Sequence, residues 1–240
     1  QGIEGLVGAR LNVSNLGALR VFCEDAQGYK NLCRILSIQH KSNLTLSSII
    51  EHQKGLIFIC RIHPESSFDL LKSFLRQTSQ RNFFLEMQRH FDRQENILNK
   101  KALDAAHALS LPIIATNDVR CLNEQDKFTL DTLTCISQHC SYRVVGRQIK
   151  PNGEWFLKSP KTMAKLFQDL PQATRHTLEI AERASFRLEQ IDYRLPHYDA
   201  PQGYSQEEWL RELSYRGAKE RYRKFTRKVQ AQLEHELKII

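Results

Sequence analysis

The sequence predicts an α/β fold followed by a mainly helical segment, and three observations carry that prediction. Short apolar runs recur through the first half of the chain. Longer stretches with apolar residues at helical spacing lie between or after them. Beyond residue 205 the short runs give way to one long, strongly basic helix-period stretch. An apolar share of 41% with 26% charged residues excludes wholesale disorder. No run approaches the ~18 apolar residues that a membrane span needs.

The short runs cover residues 18–23, 55–60, Phe83–Met87 and 112–115. Rich in Ile, Phe, Leu and Val, they have the length of buried strands. Residues 28–37 place Leu32, Ile35 and Leu36 on one helical side, and residues 68–75 do the same with Leu71, Phe74 and Leu75. Residues 95–109 carry Leu98, Ala102, Ala105, Ala106 and Leu109 near i, i+4, i+7 and i+11. Pro112 closes that helix and opens the next strand. Strand, helix, strand in this order predicts a parallel sheet with covering helices.

Residues 123–138 read as a helix, and Pro151-Asn152-Gly153 as a turn. Ser159-Pro160 reads as an N-cap with proline at the first helical position, and Pro171 opens a further helix to about Ala184. Residues 192–203, with Pro196, Pro201 and Gly203, predict an extended connector and a domain boundary. Ser205 and Glu208 form a capping box. The helix it opens carries Leu210, Leu213, Ala218, Tyr222, Phe225, Val229, Leu233 and Leu237, with possible interruptions at Gly217 and over residues 222–226.

The charge is uneven. Lys plus Arg is 35 and Asp plus Glu is 27, a net +8, and residues 211–228 alone hold eight cations against two glutamates. Arg211, Arg216, Lys219, Arg221, Arg223, Lys224, Arg227 and Lys228 are therefore candidates for nucleic-acid phosphate contact, with Tyr215, Tyr222 and Phe225 available to stack. The plainer reading is a solvated helix face, with Tyr222 and Phe225 in the core. Six dispersed cysteines without a C-x-x-C pair predict reduced structural thiols. Reduced thiols make the expected location cytoplasmic, and the N-terminus, with no basic segment before an apolar stretch, does not read as a signal peptide. Asn43-Leu44-Thr45 is taken as a chance glycosylation match.

The segment with the most chemistry is Glu86-Met87-Gln88-Arg89-His90, where alternation puts Glu86, Gln88 and His90 on one face of a strand. Thr116-Asn117-Asp118 closes the next strand. His90 and Asp118 at neighbouring strand ends make a plausible half of a metal site. The competing reading is that they only hydrogen-bond the loop and cap the following helix. Phosphate-binding, dinucleotide, nucleophile-elbow and H-E-x-x-H patterns are absent from the sequence.

Taken together the chain resembles the N-terminal part of bacterial C-family DNA polymerases, the DNA polymerase III alpha-subunit family. Matching stretches are Gly28-Tyr29-Lys30-Asn31-Leu32-Cys33-Arg34-Ile35-Leu36, Phe84 through His90, and Leu111-Pro112-Ile113-Ile114-Ala115-Thr116-Asn117-Asp118-Val119-Arg120. Leu157-Lys158-Ser159-Pro160, Leu166-Phe167-Gln168-Asp169-Leu170-Pro171, Leu178-Glu179-Ile180-Ala181-Glu182-Arg183 and the closing Glu234-His235-Glu236-Leu237-Lys238-Ile239-Ile240 follow in the family's order. Leu133-Thr134-Cys135-Ile136, Gly146-Arg147 with Asn152-Gly153-Glu154, and Gly217-Ala218-Lys219-Glu220-Arg221-Tyr222 are similar to the error-prone, translesion branch.

The resemblance implies a polymerase and histidinol phosphatase (PHP) domain, a TIM-like barrel with a metal site at its strand ends. Its implied parts are residues 1–158 as a PHP-like domain lacking its first strands, 159–198 as a helical connector, and 199–240 as the start of the palm. It puts His90 and Asp118 on family metal-ligand positions, while Arg10 and Arg120 stand where the family has Glu and His. The family's opening His-x-His lies upstream of Gln1. An arginine facing a cation at ~4 Å costs ~4 kcal/mol even at an effective dielectric of 20. No metal and no catalytic residue are therefore expected in this segment, which should be structural or partner-docking and should not polymerise DNA alone. Mg²⁺ is expected in the parent polymerase's palm, with DNA and replication or translesion accessory proteins as partners and no membrane. The alternatives are a PHP-type metal-dependent phosphoesterase and a DNA-binding module built on the basic helix. An incomplete sheet further predicts poor solubility for the isolated segment.

Overall fold

The computed structural model describes residues 3–13, 16–64, 66–191 and 197–240; the first part of the predicted connector, residues 192–196 with Pro196, lies outside them. The chain divides into two units, Gln1–Ile191 and Asp192–Ile240.

The first unit is built on a five-stranded sheet in the order β1-β2-β3-β4-β5: Gly8–Val13, Gly17–Cys23, Leu56–Cys60, Phe83–Met87 and Ile113–Ala115. The four apolar runs are strands β2 to β5. Strand β1 is additional: only Leu11 and Val13 are buried in its alternating pattern, too few to stand out as an apolar run. The helices are α1 (Ala26–Lys41), α2 (Leu46–Glu51), α3 (Phe68–Gln77), α4 (Arg93–Leu109), α5 (Lys127–Ser137), α6 (Pro160–Leu166) and α7 (Pro171–Arg183). Each predicted helix is present, and α2 was not expected. Its N-cap is Thr45, whose hydroxyl accepts from the Ser48 amide at 3.2 Å, so this threonine has a local structural task.

The sheet is mixed, not parallel throughout. Strands β3, β4 and β5 are parallel, but β2 pairs antiparallel with both β1 and β3. The reason is the helical excursion between β2 and β3. Helix α1 is 16 residues long and carries the chain ~24 Å away. Residues 42–55, including α2, bring it back to the same end of the sheet. Cys23 then stands opposite Leu56, and the Glu24 amide donates to the Gly55 carbonyl at 2.9 Å. Glycine is required where the excursion closes: a Cβ on Gly28 would fall 1.8 Å from the Gly55 carbonyl oxygen, and Gly55 itself has φ of +74°.

Both faces of the central strands are covered, which is why β3 is buried along its whole length. Leu56, Phe58 and Cys60 point into the larger core with Leu32, Ile35, Ile49, Leu71, Phe74 and Phe83. Phe74 meets Phe58 and Phe83 edge-on, each with centroids 5.5 Å apart. Ile57, Ile59, Phe84 and Ile114 point the other way and meet Ile180 of α7. Helices α6 and α7 therefore belong to the first compact unit. The connector expected at 159–198 is, through Ile191, part of that unit, because α7 covers the second face of the sheet.

The second unit contains α8 (Gln206–Arg221) and α9 (Arg227–Ile239): Ser205 and Glu208 form the predicted capping box of α8, and Thr226, not anticipated, caps α9. The predicted long helix is broken over residues 222–226, while Gly217 stays inside α8. No helix among the described residues is long and apolar enough to cross a membrane.

Candidate functional site

The second sheet face is apolar near α7 and polar toward the carboxyl ends of β3, β4 and β5. Arg10 and Arg20 stand directly opposite each other on β1 and β2, and Arg20 is in turn opposite Ile59. Arg61 follows β3, Glu86 lies within β4, and Thr116, Asn117 and Asp118 follow β5. Strand order and period-2 alternation thus bring residues of all five strands and their exits to one place.

Two buried carboxylates anchor this region. Glu86, 2% exposed, accepts from Arg20, from the Thr116 hydroxyl and, at 2.8 Å, from the Gln88 amide. Glu95, in the first turn of α4, accepts from Arg61 at 3.1 Å and from the His90 backbone amide at 2.5 Å. Its other close partner is the His90 ring, with Nδ1 at 2.8 Å. Burial alone would raise the Glu95 carboxyl, and the two His90 hydrogen bonds act against it. With the charges of His90 and Arg61 they hold its pKa below the ordinary value.

His90 is fully buried just beyond β4, not on the strand face expected from alternation. Its Nε2 lies 2.9 Å from the Asn117 carbonyl oxygen, and its ring stacks on Trp155 with centroids 4.0 Å apart. Both ring nitrogens face oxygens, so neither turns a lone pair toward solvent. The loop-holding reading describes this residue. Asn152, from the predicted Pro-Asn-Gly turn, donates to the His90 carbonyl at 2.6 Å and fixes the segment from the other side.

Asp118 has φ of +40°, in the left-handed region that aspartate tolerates. Its carboxylate accepts from Arg20 at 3.2 Å and from Arg120 through three contacts of 3.1 to 3.2 Å. Around it opens a pocket of about 360 Å³ whose polar lining includes Arg10, Arg20, Arg61, Arg120, Lys150 and Asp118, with His63 and Gln94. Lys150 Nζ sits 4.7 Å from the Trp155 ring centroid. Burial lowers its pKa. Asp118 and Glu95 act against that, and Arg120 and Arg61 add to it.

Of the residues singled out from sequence, Arg10, Asp118 and Arg120 line one pocket and His90 lies behind it. Arg20, Arg61, Lys150 and Glu95 were not anticipated. The available signal was an arginine inside one apolar strand run and another directly after the next. Among the described residues no group of three or more His, Cys, Asp or Glu side chains could hold a metal ion.

The basic stretch of the second unit is arranged differently. Arg211 is held by Glu234 at 2.5 Å, and the same carboxylate accepts from the Tyr215 hydroxyl. Arg211 therefore ties α8 to α9. Arg216, Lys219, Arg221, Arg223, Lys224, Arg227 and Lys228 are exposed. Tyr222 is 49% exposed and caps α8, contrary to the core position its spacing suggested, because the helix ends at that residue. Phe225 is half-buried, its ring centroid 5.8 Å from that of Tyr215. All six cysteines are free thiols; Cys33 is exposed and Cys121 and Cys140 are half-buried, so not all belong to the core.

Comparison with known proteins finds relatives along nearly the whole chain. It is 27% identical to the DNA polymerase III subunit alpha of Borreliella burgdorferi, over 92% of this chain and 21% of that protein. It is 29% identical to the error-prone DNA polymerase of Caulobacter vibrioides, over 100% of this chain and 23% of the relative. The error-prone DNA polymerase of Pseudomonas aeruginosa is 28% identical over 99% of this chain and 23% of its own length. The chain thus spans between a fifth and a quarter of the length of these relatives. No protein-family model matches the sequence.

Proposed function

We propose that this chain, a relative of the bacterial DNA polymerase III alpha-subunit and error-prone DNA polymerases along nearly its whole length, is a segment of a template-directed DNA polymerase. Residues 1–158 correspond in this reading to part of a PHP-type, barrel-like domain, and residues 199–240 to the start of the palm region. The parent activity is nucleotidyl transfer to a DNA primer, on the error-prone, translesion side of the family, with Mg²⁺ in the palm and accessory proteins as partners. The motif likeness around Leu133, Gly146 and Gly217 supports the error-prone assignment.

Within this segment the PHP-like part has given up metal chemistry and serves as scaffold or docking surface. One observation carries that conclusion: guanidinium groups fill the coordination directions at the strand ends. Asp118 is bracketed by Arg20 and Arg120, Glu86 is taken by Arg20, and both nitrogens of His90 are engaged. A divalent ion needs unprotonated donors free to turn toward it, and this donor set does not fit one.

Hydrolysis of p-nitrophenyl phosphate by the purified chain, with Mn²⁺ or Zn²⁺ added, tests this. No turnover above background is expected. Metal-dependent turnover lost in Asp118→Asn would establish the phosphoesterase alternative. The DNA-binding alternative draws on the seven exposed cations near the α8–α9 junction. It predicts an affinity for single-stranded DNA that falls with salt and weakens when Arg223 and Lys224 are neutralised.

A further inference from the structure

The strand-end pocket has more positive charge than its own carboxylates absorb. Arg10, Arg20, Arg61, Arg120 and Lys150 line it. Among the described residues, Glu86, Glu95 and Asp118 are the carboxylates paired with lining arginines, leaving a surplus of two cations there. That surplus has an address. Arg10 makes no ion pair or side-chain hydrogen bond with a described residue, although it stands directly across β1 and β2 from Arg20. Like charges directly opposite on an antiparallel pair oppose sheet formation. Lys150 likewise has no carboxylate in ion-pair contact among the described residues. The pocket lies at the carboxyl ends of parallel strands, where open α/β sheets hold their ligands.

We propose that this pocket is a binding site for a phosphate group, with Arg10, Arg120 and Lys150 as the principal contacts. Arg20 and Arg61 are spent mainly on buried carboxylates and position the floor. The donors enter from β1, β2, the β3 and β5 exits and the segment holding Lys150. A tetrahedral dianion can accept from all these directions, whereas a planar carboxylate is satisfied by one guanidinium fork. Binding places negative charge between Arg10 and Arg20 and relieves their repulsion. The ligand is a free phosphate or the terminal phosphate of a nucleic-acid strand, which share this chemistry. The inference does not depend on the polymerase reading, and its failure would leave that reading intact.

The test is a ³¹P NMR titration of inorganic phosphate with the full chain, free of metal ions. Saturable binding at one site per chain is expected. Arg10→Gln, Arg120→Gln and Lys150→Gln should each weaken it at least about ten-fold, the loss of one charge-assisted contact. Arg10→Lys should retain most of it, and Lys219→Gln, in the other unit, should match the unaltered chain. Arg10 and Arg120 are exposed, so their replacement leaves the core intact. A 5′-phosphorylated oligonucleotide and its 5′-hydroxyl twin then separate the sources. Displacement of phosphate by the first alone identifies a strand terminus, and displacement by neither identifies the free anion. Equal displacement by both, non-saturable binding, or equal affinity in all variants would overturn the proposal.

Discussion

The two basic regions of this chain differ in what their charge is for. In the second unit, eight cations crowd into residues 211–228, yet seven are exposed on helices and around their junction, and the eighth is tied to Glu234. In the first unit, five cations spread over 140 residues of sequence meet in one pocket, around carboxylates that are themselves anchored. The density is higher in the first case and the convergence in the second. A charged run is a solvent-facing electrostatic footprint; a site requires that the fold aim side chains from different elements at one point.

The largest expected effect lies at the anchored end of this comparison. Arg20→Met leaves Glu86 a buried carboxylate without its cation, and loss of one partner of a buried pair costs ~3–5 kcal/mol. Chemical denaturation should show that loss as a lower midpoint at unchanged slope. Phe74→Ala, which empties the aromatic centre of the core below the same sheet, should cost a similar ~3–5 kcal/mol. If Arg20→Met were as stable as the parent, the pocket's floor would not be a buried ion-pair network.

A smaller effect follows from pH. The Glu95 carboxyl is held below its ordinary value of 4.5 in the folded chain. Its contribution is therefore fully present above that value and lost as pH falls through the lower folded value. Stability measured from pH 6 down to pH 3 should fall less steeply in Glu95→Gln than in the parent chain. Parallel curves would remove Glu95 from the network.

Thiol reactivity tests the burial pattern. Burial, with Cys33 and Asp25 nearby, pushes Cys23 up to about 11. Burial and the Glu86 charge push Cys60 up to about 12. Exposed Cys33 should react first with a maleimide at pH 7.5, while Cys60 and Cys23 wait for unfolding. Early labelling of Cys60 would contradict the closed face of β3. The smallest stability change is expected from Glu234→Gln in the second unit, since exposed pairs contribute little. A large shift in melting there would erase the contrast between the two regions.

Much of the fold was legible because apolar runs and caps are local signals. Strands β2 to β5 and the helices opened by Ser159, Pro171 and Ser205 follow from residues adjacent in sequence. The antiparallel pairing of β2 with β3 did not, since nothing local shows that α1 and residues 42–55 travel out and back. Short α2 offers too few turns for a period, although Thr45 marks its start. At the site, Arg10, His90, Asp118 and Arg120 were visible as individual positions. Arg20, Arg61 and Lys150 were not, because a single cation carries no signal until strand register puts it beside others. For His90 the sequence offered both a metal-ligand and a loop-holding role, and only the fold shows the second, since its partners Glu95 and Asn117 come from the next helix and the next strand exit.

Anomalous diffraction from crystals of the full chain soaked in Mn²⁺ tests the central claim most directly. The account predicts no manganese peak within coordinating reach of Glu86, His90 or Asp118, with Arg20 and Arg120 still on the Asp118 carboxylate. A peak ligated by Asp118, with either arginine displaced from it, would contradict the account.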